Sequence, residues 1–474
     1  MKPEPPIVVL LGLPFHDLTL EESLGECREM MQASPPSYLV TANVDFTTQA
    51  SEDPDLRKIV FYADRVVCDG MPLVWLSKWL GSPLRERVAG SDMVPRLLEI
   101  CASDARSVYF FGSDLKTLQE AAKIAESIYP GLKVVGCEAP PMGAVVEWDN
   151  EGICARMKAS GASLLLVCLG CPKQERWIFA HHRDTGIPLS IGVGASLDFI
   201  TGKQKRAPKW MQRVGLEWFW RMAGNPKRLV SRYANDFHFL AGAALRQAML
   251  SAKRDKIDVS RMPAVARTAS NVIRLSWVGA LEKGSYEGAA VPDQVDRPVL
   301  LDASAVSFMD SGGLGRLALL LRRCRASGQE LFLVAASGFV RHALAAGKLD
   351  TMLTIVPDES TALETIGKTA VCTRTSVDGG IARVAFDHPL DAMHLDEITS
   401  ALEDAESRAG KSLVVDFSAV PFIDSRAVGV LIRYHKKMLA KGGALYLDRV
   451  SGEVSQILKL LRLDAILEKW EAAA

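Results

Sequence analysis

The chain has 474 residues, with 56 lysines and arginines against 56 aspartates and glutamates, and is 48% hydrophobic and 24% charged. That length leaves room for about three domains, and the charge balance excludes a nucleic-acid or membrane partner held by bulk charge alone. No uninterrupted apolar stretch approaches the ~20 residues that a membrane-spanning helix needs, and the start, MKPEPPIVVLLGLPFHDL, has acidic, proline-rich flanks unlike a secretory leader.

Residues 1–200 alternate short apolar runs with helix-spaced ones. Ile7–Leu11, Ser37–Thr41, Val66–Cys68, Ser107–Gly112, Lys133–Val135, Ser163–Leu169 and Ser190–Val193 read as strands, and Asp114–Ile128 carries apolar residues at helical spacing. This alternation predicts a mostly parallel sheet covered on both faces, with ligands at the carboxyl ends of its strands. Polar clusters fall at those ends: TANVD at 41–45, DG at 69–70, GSD at 112–114, GCPKQE at 170–175 and GVGASLDF at 192–199.

Asp69 at such an edge can serve as a general base, while Thr41 and Asn43 offer a hydroxyl and an amide. Pro172 suits a first helical turn whose amides, with Lys173 beside them, face an anion. Gln174 and Glu175 can read hydroxyls or a base edge. Each has a structural alternative: a turn at Asp69-Gly70, and Glu175 simply favouring a helix N-terminus. Nucleotide-binding GxGxxG, P-loop and GxSxG signatures are missing, and no DxD follows a strand, so neither cofactor nor metal is expected. Nine scattered cysteines suit reduced thiols in a cytoplasmic compartment; Cys168 and Cys171 form a CxxC that reads as small apolar filler.

The segment 201–250 changes character. Between 201 and 235 stand nine lysines and arginines against one acid, Glu217, interleaved with Trp210, Trp218, Phe219, Trp220 and Tyr233. Residues 251–269 read as a linker. Beyond it, 299–334 superimposes on 413–448 without a gap at an offset of 114, pairing Asp302 with Asp416, Asp310 with Asp424, Ser311 with Ser425 and Gly315 with Gly429. Two copies of one domain, 270–366 and 370–474, follow the linker. Each reads strand, Asp-Ser at a helix start, amphipathic helix, glycine stop, strand. Ser311, at the helix start, suits an N-cap.

The motifs TANVDF, ADRVVCDGMPLVW, ERVAGSD, YFFGS, LGCPKQERWI, GVGASLDFITGKQKRAPKW and GLEWFWRMAGNPKR together resemble the WecG/TagA/CpsF-type glycosyltransferases, glycosyltransferase family 26. The resemblance implies a Rossmann-like, mostly parallel α/β core over 1–200 with a helical basic appendage over 201–250. It implies inverting, metal-independent transfer from a UDP-sugar to an undecaprenyl-diphosphate-linked sugar, by a cytoplasmic protein peripherally attached to the inner membrane face. By the same resemblance Asp69 is the base and Thr41 its catalytic neighbour. Asn43, Arg87, Gly170, Lys173, Gln174, Glu175 and Gly194 line the donor site, and Arg221, Arg228 and Arg232 hold the acceptor diphosphate. Trp218 and Trp220 could anchor at the lipid interface. The sugar moved is not legible among N-acetylmannosamine, its uronic acid, glucose and glucuronic acid.

The repeated copies, FMDSGGLG above all, resemble STAS domains of anti-sigma-factor antagonists, also α/β. This implies interaction modules for a kinase or anti-sigma-like partner, with Ser311 the phosphoacceptor; Ser425, followed by Arg-Ala-Val, departs from the pattern. A second reading of the whole chain is a signalling scaffold whose enzyme-like part only senses a nucleotide sugar or lipid. Nucleic acid is not an expected partner.

Overall fold

The computed structural model describes residues 4–203, 206–208, scattered positions between 211 and 245, 265–269, 272–282, 290–368 and, with short gaps, 374–460 together with 468–469. It divides into two compact units, Met1–Pro141 with Glu151–Ala362, and Met142–Asn150 with Leu363–Ala474.

The first unit opens with β1 (Ile7–Leu10) and β2 (Leu13–His16), followed by α1 (Leu20–Met30). Next come β3 (Ser37–Ala42), α2 (Val44–Glu52), α3 (Pro54–Tyr62), β4 (Arg65–Cys68) and α4 (Met71–Trp79). Then follow α5 (Gly90–Ser103), β5 (Ser107–Gly112), α6 (Leu115–Ile128), β6 (Lys133–Glu138) and α7 (Asn150–Ser160). The set closes with β7 (Leu164–Cys168), α8 (Lys173–His181), β8 (Leu189–Gly192) and α9 (Ser196–Ile200).

Strands β3 to β8 form one parallel sheet in the order β4-β3-β8-β7-β5-β6. Its central strands are buried without alternation, LLLVC in β7 and LSIG in β8, because helices cover both faces. Leu166, Ile191, Leu39 and Phe110 meet Leu97, Leu98 and Leu118 in one buried cluster. Helix starts are written locally: Thr19 and Glu22 make a reciprocal capping box, and Asp114 accepts from the Thr117 amide.

One element departs from the sequence expectation. Ile7–Leu11 does not join the parallel sheet; β1 pairs antiparallel with β2, LPFH, which proline and shortness hide from pattern reading. The two-residue turn, Leu11-Gly12, has positive φ at both positions (54° and 86°), the twist that suits a tight hairpin.

The first repeat contains β9 (Val265–Ala269), β10 (Val272–Leu281), β11 (Val299–Met309), α10 (Ser311–Ala326), β12 (Leu331–Val334), α11 (Gly338–Ala346), β13 (Thr354–Val356) and α12 (Glu359–Lys368). Its sheet runs β13-β12-β11-β10-β9, so β9 places a strand inside the span read as linker. The second has β14 (Arg374–Asp378), β15 (Ile381–Ala385), α13 (Leu395–Arg408), β16 (Ser412–Asp416), α14 (Ser425–Ala440), β17 (Ala444–Asp448), α15 (Gly452–Leu460) and β18 (Glu468–Lys469), in the order β14-β15-β16-β17-β18.

Within the first unit the hairpin lies on the first repeat. Ile7, Val9 and Phe61 belong to the same buried cluster as Leu275, Trp277, Leu317 and Leu320. A Cβ on Gly315 would stand 1.8 Å from the Ile7 carbonyl oxygen, so α10 and β1 meet backbone to backbone. Lys348 Nζ donates to Ser51 O at 2.8 Å across the same contact.

Gly112 ends β5 at φ +98°, and a Cβ there would stand 2.7 Å from the Cys168 carbonyl carbon. Gly112→Ala combines a disfavoured backbone with a backbone clash and is expected to destabilise the first unit by about 2 kcal/mol or more. A melting temperature equal to wild type in differential scanning calorimetry would contradict this packing.

Candidate active site

Parallel pairing brings the carboxyl ends of β3, β4, β7 and β8 to one edge of the sheet. The Asp69 amide extends the ladder one residue past β4 by donating to Ala42 O at 2.9 Å. Its half-buried carboxylate accepts the Gly90 N–H at the start of α5, Oδ2 to N 3.3 Å. A Cβ built on Gly90 would stand 3.4 Å from Thr41 Oγ1, so carboxylate and hydroxyl flank the same helix start. Asn43 is the N-cap of α2, its Oδ1 accepting from the Phe46 amide at 3.0 Å, and its Cβ lies 3.8 Å from where one on Gly70 would be. Of the amide expected to face a ligand, the carbonyl is thus committed to the backbone.

The β7–β8 side is a brace. Gln174 Oε1 accepts from Gly170 N and Gly194 N, both at 3.1 Å, and its Nε2 donates to Glu175 Oε1 at 2.7 Å. Both side chains are buried, so the structure uses them to join two strand-end loops rather than to face a hydroxyl or base. Gly192 makes room for them: a Cβ there would stand 2.6 Å from Gln174 Nε2. Burial pushes the Glu175 carboxyl up to about 7, and its Oε2 has no hydrogen-bond partner. Lys173, at the first position of α8, is half-buried.

Arg87 is held in a charge quartet. Its Nη2 meets Asp92 Oδ2 at 2.6 Å and its Nη1 meets Glu217 Oε2 at 3.1 Å, while Arg206 Nη2 meets Asp92 Oδ1 at 2.7 Å. Glu217 and Arg206 are therefore tied to the core residues Arg87 and Asp92. An ion pair this buried costs more to break than to form, since removal of one partner strands the other charge. Arg221, Arg228, Arg232 and Trp218 lie outside the described residues; Trp220 is exposed.

Ser311 is not the N-cap that one of its two readings made it. Asp310 caps α10, accepting from the Gly312 and Gly313 amides, and Asp424 caps α14 in the same way. Ser311, the first helical residue, is 4% exposed. Ser425 opens α14, and its side chain lies outside the described residues. Cys168 and Cys171 are free thiols. Among the described residues no group of three His, Cys, Asp or Glu is placed to hold a metal ion.

Sequence reading missed one feature. Trp75 and Trp79 are 47% and 63% exposed, four residues apart on α4, which starts directly after Asp69-Gly70. The spacing in MPLVWLSKW was the available signal.

Comparison with known proteins finds matches along most of the chain. The family model for "Glycosyl transferase WecG/TagA/CpsF family" matches residues 8–254, and the STAS domain model matches 246–362 and 373–472. An N-acetylglucosaminyldiphosphoundecaprenol N-acetyl-beta-D-mannosaminyltransferase of Bacillus spizizenii is 30% identical over 192 residues, 40% of this chain and 73% of the relative. A Staphylococcus aureus protein of the same name is 25% identical over 224 residues, 47% of this chain and 86% of the relative. Among solved structures, a Thermotoga maritima protein described as an anti-sigma factor antagonist aligns with 21% of this chain and 86% of its own, at 19% identity and a TM-score of 0.20.

The Glu175 carboxyl is raised, so its contribution to stability is full at low pH and is lost as pH rises toward and through about 7. The loss amounts to roughly 3 kcal/mol at most. Between pH 5 and 8 the melting temperature of Glu175→Gln, neutral throughout, is expected to fall less than that of wild type. Parallel curves would show that the buried carboxyl does not titrate in this window.

Proposed function

This chain belongs to the WecG/TagA/CpsF glycosyltransferase family and carries STAS domains after its transferase part, and from that premise we propose its reaction. The enzyme moves an N-acetylmannosamine-type sugar, or a related hexose or uronic acid, from a UDP-sugar to an undecaprenyl-diphosphate-linked sugar. The transfer inverts the anomeric centre and uses no metal. The observation that carries the reading is the Asp69 carboxylate, on the Gly90 amide beside Thr41, at the strand edge shared with the Gln174 brace.

Asp69 takes the proton of the acceptor hydroxyl as that oxygen attacks the anomeric carbon from the face opposite the diphosphate. The bond from that carbon to the UDP oxygen breaks, and its electron pair leaves with the diphosphate. Lys173, at the first position of α8, stabilises this charge. Arg87, already engaged by two acids, acts by keeping Glu217 and the basic segment on the core. Arg221, Arg228 and Arg232 take the acceptor diphosphate.

A lipid-linked acceptor requires the site to work at a membrane surface, and we place the protein peripherally at the cytoplasmic face. No helix among the described residues is long and apolar enough to cross a bilayer. The exposed Trp75 and Trp79 support interfacial contact, since tryptophan favours the headgroup boundary. The STAS domains serve regulation or protein docking.

Transfer of radiolabelled sugar from UDP-sugars to a short-chain lipid-diphosphate acceptor tests the reaction. Asp69→Asn is expected to lose about 10²–10⁴-fold in turnover. If wild type and this variant share a background rate with every donor, the chain is a sensor scaffold instead. In sedimentation with anionic vesicles, Trp75→Ala/Trp79→Ala is expected to bind several-fold less, and salt to weaken wild-type binding. Binding indifferent to both would contradict membrane attachment.

A further inference from the structure

Two sets of contacts run from α10 of the first STAS domain to the two ends of the segment that carries Asp69. At the start of α10, Asp310 Oδ1 caps the helix and its Oδ2 accepts the Ser82 hydroxyl at 2.9 Å. Ser82 is fully buried. From there to Gly90 the chain is held at short intervals: Leu84 N donates to Ser77 Oγ at 2.9 Å, Arg85 N to Asp17 Oδ1 at 2.8 Å and Val88 N to Cys68 O at 2.8 Å. The last hold is Gly90 N–H on the Asp69 carboxylate.

Further along α10, Arg322 Nη2 donates to Ala63 O at 2.6 Å and Asp64 O at 2.9 Å, at the entrance of β4. Its Nη1 faces His16 Nε2 at 3.2 Å, and His16 Nδ1 faces the Val66 carbonyl oxygen inside β4 at 3.3 Å. Burial holds the His16 imidazole well below its usual range, hence neutral and able to accept from the guanidinium. Asp69 follows β4 directly, so Arg322 and Ser82 bracket the carboxylate from opposite ends of residues 63–90.

The repeat offers an independent parallel. At the offset of 114, Lys436 of α14 occupies the position of Arg322, and within the second unit Lys436 Nζ donates to Trp148 O at 3.5 Å. In both copies, therefore, the cation at this helix position binds a backbone carbonyl of the transferase-matched stretch 8–254.

We propose that Ser82 and Arg322 are positioning residues through which the first STAS domain, docked in cis by α10, sets the Asp69 carboxylate, making this domain part of the catalytic unit. The inference rests on Asp69 as the base. It gives the α10 face a partner, the β1–β2 hairpin with the 80–84 loop of its own chain, in place of a separate protein.

The test uses the full chain. Ser82→Ala and Arg322→Met are expected to lower kcat by about tenfold or more, the scale of a small misplacement of a reacting group. KM for the donor is expected to stay within about twofold, because ground-state binding is not removed. Amides of 84–90 are expected to exchange faster with deuterated water. Ser82→Thr, which keeps the hydroxyl, is expected to recover most of kcat. Arg274→Gln, which removes an exposed ion pair to Glu359 elsewhere in the same domain, is expected to keep wild-type kcat. Wild-type kcat and unchanged exchange in both interface variants overturn the proposal, as does an equal loss in Arg274→Gln. Exchange is read without turnover, so faster exchange supports the coupling even where Asp69→Asn stays active, a result that would overturn only the base assignment.

Discussion

In a parallel sheet covered on both faces, strand amides are committed to neighbouring strands, and a polar side chain finds room chiefly where a strand ends. The β7 and β8 backbones illustrate the constraint, for every residue of both is buried. Asp69 sits one residue past such an end, its own amide still in the ladder with Ala42 while its carboxylate has left the core. The placement of Thr41, Gly90 and the Gln174 brace follows from the same rule, applied to β3, α5, β7 and β8.

A second constraint is closeness of backbones. Only a residue without a Cβ lets α10 reach the Ile7 carbonyl, and Gly315 is that residue. The glycine-rich start of α10, with Asp310 as cap, forms an intramolecular joint through Asp310 and Gly315, and Ser311 is buried. A stretch that reads as a switch thus behaves as a seam between two parts of one chain. Gly429, its counterpart in the second copy, has nothing within 4 Å of where a Cβ would go, so the repeated glycine is required in one place and merely permitted in the other.

Charge follows similar logic. Arg87 and Arg206 are balanced by Asp92 and Glu217, and the quartet fixes Arg206 and Glu217 against the core. Glu175 has no cation among its hydrogen bonds to described residues, and burial raises its carboxyl against the opposing pull of its hydrogen bonds, the one from Gln174 first. The first arrangement makes an attachment from opposite charges; the second keeps an acid near neutrality inside a brace.

The parallel strands, the helix starts and the two-fold repeat were legible in order along the chain, because apolar spacing and capping residues act over one or two turns or one strand. Asp69, Thr41 and the polar strand ends were legible for the same reason. Hidden from that reading were β2, the service of Gln174 as a brace, the pairing of Arg87 with Glu217 130 residues away, and the seating of Gly315 and Arg322 against a hairpin some 300 positions earlier. Local sequence determines which face of an element is apolar and where the chain may turn. Which other element covers that face is decided by packing between distant residues, and that choice turned exposed-looking polar groups into caps, braces and joints.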